Sequence, residues 1–301
     1  MLESASTSMR ETAALIALLR RGDRAWHHYA EIVEARGSAL AVLDEGAPDE
    51  LDTPTLFAPT DRADVDLDAI VAEIDGWRAD GITVLSVLHE HYPQNLRSIH
   101  DRPPLLFVHG ALTDVDERSV AVVGTRRATD AGLAHAREVA AGLVDAGYTV
   151  VSGLAAGVDR AAHVGALDRG GRTVAVIGTG LRRAYPAANA ELQQRIAAEA
   201  AVVSQFWPDA PPSKRTFPMR NVVMSGLARA TVVIEASETS GARMQARFAL
   251  AHGRPVFLLA SLLEHAWARD HAERPGTYVV EEAGEIVEHV ERLLAVDTLT
   301  V

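Results

Sequence analysis

Apolar residues recur at helical spacing over residues 11–21 (ETAALIALLRR) and 25–36 (AWHHYAEIVEAR), which predicts two amphipathic helices. Gly37 follows the second as its C-cap. Residues 46–64 are rich in Pro, Asp and Thr and predict a loop. A third helix is predicted within 65–79, less a residue at either end. Together these make a helical N-terminal domain over residues 1–81. The short apolar run Ile82-Thr83-Val84-Leu85 leads into a larger domain over 82–301.

From about residue 104 the period changes. Short apolar runs appear at 105–108, 120–123, 148–151, 174–177, 202–203, 231–234 and 256–259. Helical stretches lie between and after them, at about 130–146, 158–169, 188–199, 219–228, 241–252 and 281–294. Near-continuous apolar strands alternating with helices predict a mostly parallel sheet covered on both faces. That is a doubly wound α/β fold, an extended Rossmann-like domain behind a small helical one.

Composition narrows the function. The chain has no cysteine, so disulfides, thiolate nucleophiles and Cys-ligated zinc are excluded. No apolar run approaches the ~20 residues needed to span a bilayer. The N-terminus lacks the basic-then-apolar order of a signal peptide, so a cytoplasmic protein with no membrane partner is expected. The formal net charge of −12 counts against general affinity for nucleic acid. A local patch can still carry the opposite sign. Lys214 is the only lysine, so nearly all positive charge is arginine.

In this architecture ligands bind outside the carboxyl ends of the strands. Four strand ends carry small residues: Gly124-Thr125-Arg126, Ser152-Gly153, Gly178-Thr179-Gly180 and the stretch from Glu235 to Ser240-Gly241. Small residues let a ligand approach backbone amides, and helix N-termini there favour anions. The alternative is that these glycines only serve tight turns. Gly178-Thr179-Gly180 lacks the third glycine of a dinucleotide fingerprint, so no NAD or FAD cofactor is expected. No metal site is predicted, and no catalytic residue.

Longer motifs follow in order. They are Tyr92-Pro93, the run from Pro103 to Gly110, Val122 to Arg126, Ser152 to Asp159, His163, Gly170 to Gly178, Tyr185-Pro186, Phe217 to Asn221, Ser225 to Leu227, Val232 to Ala236, Ser240-Gly241 and Gly253 to Phe257. This series, over roughly residues 82–258, resembles the core of the DNA-processing protein A (DprA/Smf) family. The resemblance implies single-stranded DNA binding, homodimers and help in loading a RecA-type recombinase during natural transformation, without catalysis. It maps the DNA or phosphate site onto Gly124, Thr125, Arg126, Lys214, Arg215, Phe217, Arg220, Asn221, Ser240 and Gly241, with Pro218 inside the Phe-Pro motif.

Arg126 can offer a phosphate a forked pair of hydrogen bonds. Lys214 can offer a point charge. Phe217 is either a platform for an unpaired base or a core residue. Arg220 is either a phosphate ligand or the partner of Glu235. Asp159 is expected to cap its helix, and His163 to be packed inside it. The chain departs from the family pattern at Gln205, Val222, Met244-Gln245 and 259–270, and its N-terminal helices lack a Gly-x-Gly hairpin. No winged-helix domain is expected after residue 295. The departures keep a second reading open, a nucleotide-sensing or phosphoribohydrolase-like protein of the same fold. A third is a structural partner that has lost its ligand.

Overall fold

The computed structural model describes residues 2–45, 65–282 and 285–297. The chain divides into two compact units, Met1–Tyr92 with Pro103–Leu106, and Pro93–Arg102 with Phe107–Val301.

The first unit holds α1 (Leu2–Arg21), α2 (Trp26–Arg36), α3 (Ala39–Glu45), α4 (Leu67–Ala79) and β1 (Ile82–Ser86). Helix α1 presents the wholly buried Leu15 and Ile16, with Leu18 almost as deeply buried. Burying each such side chain stabilises by about 1.5–3 kcal/mol. Gly37 closes α2 with φ 71°, and its N–H donates to the Val33 carbonyl at 2.8 Å. The Glu11 carboxylate accepts from the Ala39 and Leu40 amides at 2.6 and 3.1 Å, which satisfies the start of α3. Asp66 caps α4 by accepting from the Ala69 amide. The loop expected over 46–64 lies outside the described residues.

The second unit has α5 (Gln94–Arg97), β2 (Leu105–Gly110) from Phe107 onward, β3 (Ser119–Val123), α6 (Asp130–Asp145), β4 (Thr149–Ser152), α7 (Val158–Asp168) and β5 (Thr173–Val176). Then come α8 (Ala190–Glu199), β6 (Ala201–Ser204), α9 (Thr216–Leu227), β7 (Ala230–Val233), α10 (Gly241–Ala251) and β8 (Val256–Leu259). Helix α11 (Ala266–Ala272), β9 (Thr277–Val280) and α12 (Glu285–Asp297) complete it. Its strands lie in the order β2-β6-β5-β4-β3-β7-β8-β9, all pairs parallel except β2 with β6.

Both faces are covered, as the apolar runs predict. Val120 and Val122 of β3 pack with Val139, Leu143, Ala162 and Val290 from α6, α7 and α12. Helices α9 and α10 lie on the other face. All five residues of β3 are buried. Helix α9 starts at Thr216, three residues before the expected 219. Pro218 is tolerated because first-turn amides have no partner within the helix. Strand β9 has no counterpart in the sequence reading. It is a short edge strand whose Tyr278 and Val279 are exposed, so it carries no buried-strand pattern. Among the described residues no helix is long and apolar enough to cross a membrane.

Candidate functional site

Strands β4, β5 and β6 extend the sheet from β3 in one direction, while β7, β8 and β9 extend it in the other. The loops after β3 and β7 therefore diverge, and a crevice opens between them. A cleft of about 440 Å³ lies there. It is lined from β3 by Gly124, Thr125, Arg126 and Arg127, from α9 by Phe217, Pro218, Arg220 and Asn221, and from α10 by Gly241 and Gln245. Ser240 caps α10, its Oγ accepting from the Ala242 amide at 3.2 Å, and brings the positive end of that helix dipole to the cleft.

Arg126 is exposed, and its guanidinium stands 5.2 Å from the centroid of the Phe217 ring. Phe217 is half-buried rather than a core residue. It packs over Gly178, where an added Cβ would lie 2.8 Å from the ring, and meets Tyr185 at a centroid distance of 5.6 Å. Tyr185 is 44% exposed, so an aromatic surface continues out of the cleft. The tyrosine belongs to the quoted Tyr-Pro motif, but nothing in its local spacing tied it to Phe217.

Arg220 is buried, yet it lines the cleft. Its Nη1 donates to the Val176 carbonyl at 2.9 Å, while its Nε has no partner. The Arg220–Glu235 pairing considered from sequence does not form. Glu235 instead accepts from the Thr129 amide at 3.0 Å and the Thr129 hydroxyl at 2.8 Å, and its carbonyl accepts from the Thr125 amide at 2.6 Å. It fastens the Arg126 loop at both ends, because the preceding strand β7 runs directly beside β3.

The charge facing Arg220 is Asp159. The cap of α7 is Gly157 (φ 78°, ψ −127°), not Asp159, which is the second residue of the helix. A Cβ at Gly157 would meet the Thr125 carbonyl oxygen at 2.3 Å, so the close approach of this turn to the β3 loop requires glycine. Burial pushes the Asp159 carboxyl up, against the pull of Arg220 and of the Ala155 and Gly124 amides. Burial likewise pushes the Arg220 guanidinium down, against the Asp159 charge. His163 is wholly buried, with Nδ1 2.6 Å from the Thr173 hydroxyl. Burial and then Arg220 lower it to about 3.

The cleft brings together Gly124, Thr125, Arg126, Phe217, Arg220, Asn221, Ser240 and Gly241. Four expected residues stand apart from its lining. Ser152 is buried and donates its hydroxyl to the Val122 carbonyl at 2.7 Å, stitching β4 to β3. Gly153 serves Arg220, since a Cβ there would lie 1.6 Å from Nη1. Lys214 and Arg215 are exposed just before α9.

The model of the family described as DNA recombination-mediator protein A matches residues 83–295. Protein Smf of Synechocystis is 42% identical over 172 residues, covering 56% of this chain and 43% of that protein. DNA processing protein DprA of Streptococcus pneumoniae is 42% identical over 174 residues, covering 58% and 61%. The chain thus spans about half of the length of these curated relatives. The solved structure of DNA processing protein A from Streptococcus pneumoniae superposes with a TM-score of 0.65 at 29% identity, covering 95% of each chain. That of DNA processing protein A from Helicobacter pylori, concerned with its single-stranded DNA binding mode, gives 0.62 at 26% identity, covering 70% of this chain and 96% of that one.

Proposed function

The chain belongs to the DNA recombination-mediator protein A family, and on that premise we propose that its switch-point cleft binds the backbone of single-stranded DNA. One observation carries the reading: an exposed arginine set over a half-buried aromatic ring, beside a buried arginine and a helix N-terminus. Arg126 supplies a planar fork for a phosphate. Phe217, with Tyr185 beyond it, supplies a face for an unpaired base, a contact worth about 1–3 kcal/mol in such sites. Single-stranded DNA binding is described for the Helicobacter pylori relative. Lys214 and Arg215 add charge along the approach to α9. The protein acts without turnover, as a cytoplasmic homodimer that hands the strand to a RecA-type recombinase. Sedimentation with and without DNA and recombinase tests that assembly, and a monomer that engages neither would remove it.

Fluorescence anisotropy with a labelled oligonucleotide is the direct test. Single strands are expected to bind more tightly than duplex of equal length. About two to four neutralised phosphates give a slope of log affinity against log salt of about −1.5 to −3. Arg126→Ala is expected to cost about 1.5–3 kcal/mol, roughly 10- to 150-fold, with the fold intact. Arg126→Lys should recover only part of this. Equal or tighter duplex binding, or an unchanged Arg126→Ala, would overturn the reading.

The cleft volume also admits a mononucleotide, which is what a phosphoribohydrolase-like reading requires. Glu235 is the carboxylate such an enzyme would use on the ribose, but it is engaged with Thr129. Incubation with AMP and other nucleoside monophosphates is therefore expected to release no base. Steady release that disappears in Glu235→Gln would favour the enzyme.

A further inference from the structure

At the other end of α10, about 16 Å along the helix from the cleft, two imidazoles and a carboxylate converge. His100 and Asp101 follow α5, and His252 caps the C-terminus of α10. One ligand-capable atom from each of the three lies within 4.8 Å of the others. We propose that His100, Asp101 and His252 bind one divalent transition-metal ion of the zinc type.

The hydrogen bonds around His252 motivate the assignment. Its side chain is wholly buried, with Nδ1 2.8 Å from Ser225 Oγ and Nε2 2.9 Å from Asp101 Oδ1. The Ser225 hydroxyl also reaches the Val222 carbonyl at 3.1 Å. If it donates its one proton there, Ser225 must accept from Nδ1–H. Nε2 then aims a lone pair at the Asp101 carboxylate. Two lone pairs at that distance repel unless a second ring proton or a cation stands between them. A metal ion reconciles them, and Ser225 becomes the outer partner that fixes the ring, as partners of metal-bound histidines commonly do. The opposite tautomer, with Ser225 donating to Nδ1 and Nε2–H to Asp101, needs no ion.

The donors suit the chemistry. Two neutral imidazoles and one carboxylate favour zinc, cobalt or nickel over magnesium and calcium, and leave a fourth position for water. Donor atoms around a tetrahedral zinc stand about 3.3 Å apart, so the His252–Asp101 pair has to open by only a few tenths of an ångström. His100 is exposed and can turn inward. The C-terminal end of the α10 dipole also favours a cation. The ion would tie the segment after α5 to the turn between α10 and β8.

The test is calorimetric titration of the full chain, stripped by chelator, with zinc chloride, paired with the visible spectrum of the cobalt form. One-to-one binding at micromolar affinity or tighter is expected, with a tetrahedral cobalt band. His100→Ala, at an exposed position, and Asp101→Asn should each weaken it at least tenfold while circular dichroism is unchanged. Ser225→Ala should weaken it about 10-fold and shift the cobalt band. The double variant His89→Ala/His91→Ala, which removes a separate close histidine pair, should leave binding as it is. No binding at micromolar zinc would overturn the proposal. So would binding unaltered in His100→Ala and Asp101→Asn, or binding lost with His89 and His91.

Discussion

Arg220→Ala is expected to cost about 1–3 kcal/mol of folding stability, because it removes the buried hydrogen bond to the Val176 carbonyl and takes a positive charge away from the buried Asp159. The guanidinium faces Asp159 in a site where both groups are buried, and it also supports the Val176 carbonyl. Without it the Asp159 carboxyl, already pushed up by burial, keeps the weaker pull of the Ala155 and Gly124 amides and of Arg126. Taking up a proton limits the loss, so the cost should shrink as pH falls toward the acid range. A double variant, Arg220→Ala with Asp159→Asn, removes the stranded charge and should recover at least ~1 kcal/mol. Urea unfolding of the four proteins of this cycle measures the coupling. A single-variant cost below ~1 kcal/mol, or additive effects, would separate the two residues energetically. Gly153→Ala should act on the same group more mildly. Its Cβ drives the guanidinium off the Val176 carbonyl, but the displaced atoms are the end of a flexible chain.

Acid should destabilise the second unit through His163. Its imidazole falls from an ordinary value of 6.5 to about 3 in the folded protein, first through burial and then through Arg220. The folded-state value lies below the unfolded one, so the unfolded chain binds more protons between them. The stability is therefore complete above about pH 6.5 and is lost as pH falls toward 3. At about 1.4 kcal/mol per unit, roughly 2 kcal/mol is gone by pH 5 and about 5 kcal/mol by pH 3. Asp159 acts in the opposite direction, because its carboxyl is raised and the folded state holds that proton more tightly. The His163 contribution between pH 5 and 6.5 is therefore read as a difference from a variant that keeps Asp159. Urea midpoints across that interval, compared between the protein and His163→Gln, test it. An equal slope in both proteins would clear His163 of any role in the acid response.

The doubly wound domain was legible because buried parallel strands have an unmistakable composition. Runs such as Val120-Ala121-Val122-Val123, set between helical periods, admit few other arrangements. Strand β9 escaped because an edge strand with Tyr278 and Val279 exposed needs no such run. Glycine and hydroxyl residues after the strands pointed to the carboxyl end of the sheet, and eight of the twelve expected site residues line one cleft there. Ser152 misled because its type suits either a phosphate or a strand-to-strand bond, and only the neighbouring Val122 carbonyl decides between them. Lys214 and Arg215 were located by charge alone, and charge does not say which way a loop points.

Local order along the chain thus determined the fold class, the end of the sheet where a ligand can approach, and the aromatic and cationic residue types gathered there. Pairing across the sheet was decided only in three dimensions. Arg220 faces Asp159, 61 residues away, rather than Glu235, because α9 lies over β3, β4 and β5 and its arginine reaches past Gly153. Phe217 meets Arg126 and Tyr185 because the ends of separate elements converge on one crevice. His252 reaches Asp101, |i−j| = 151, because the turn before β8 folds back on the segment after α5. The physical reason is the range of the forces involved. Hydrophobic periodicity is written between residues a few positions apart, whereas a buried charge or lone pair takes whichever partner the packed chain brings within a few ångströms.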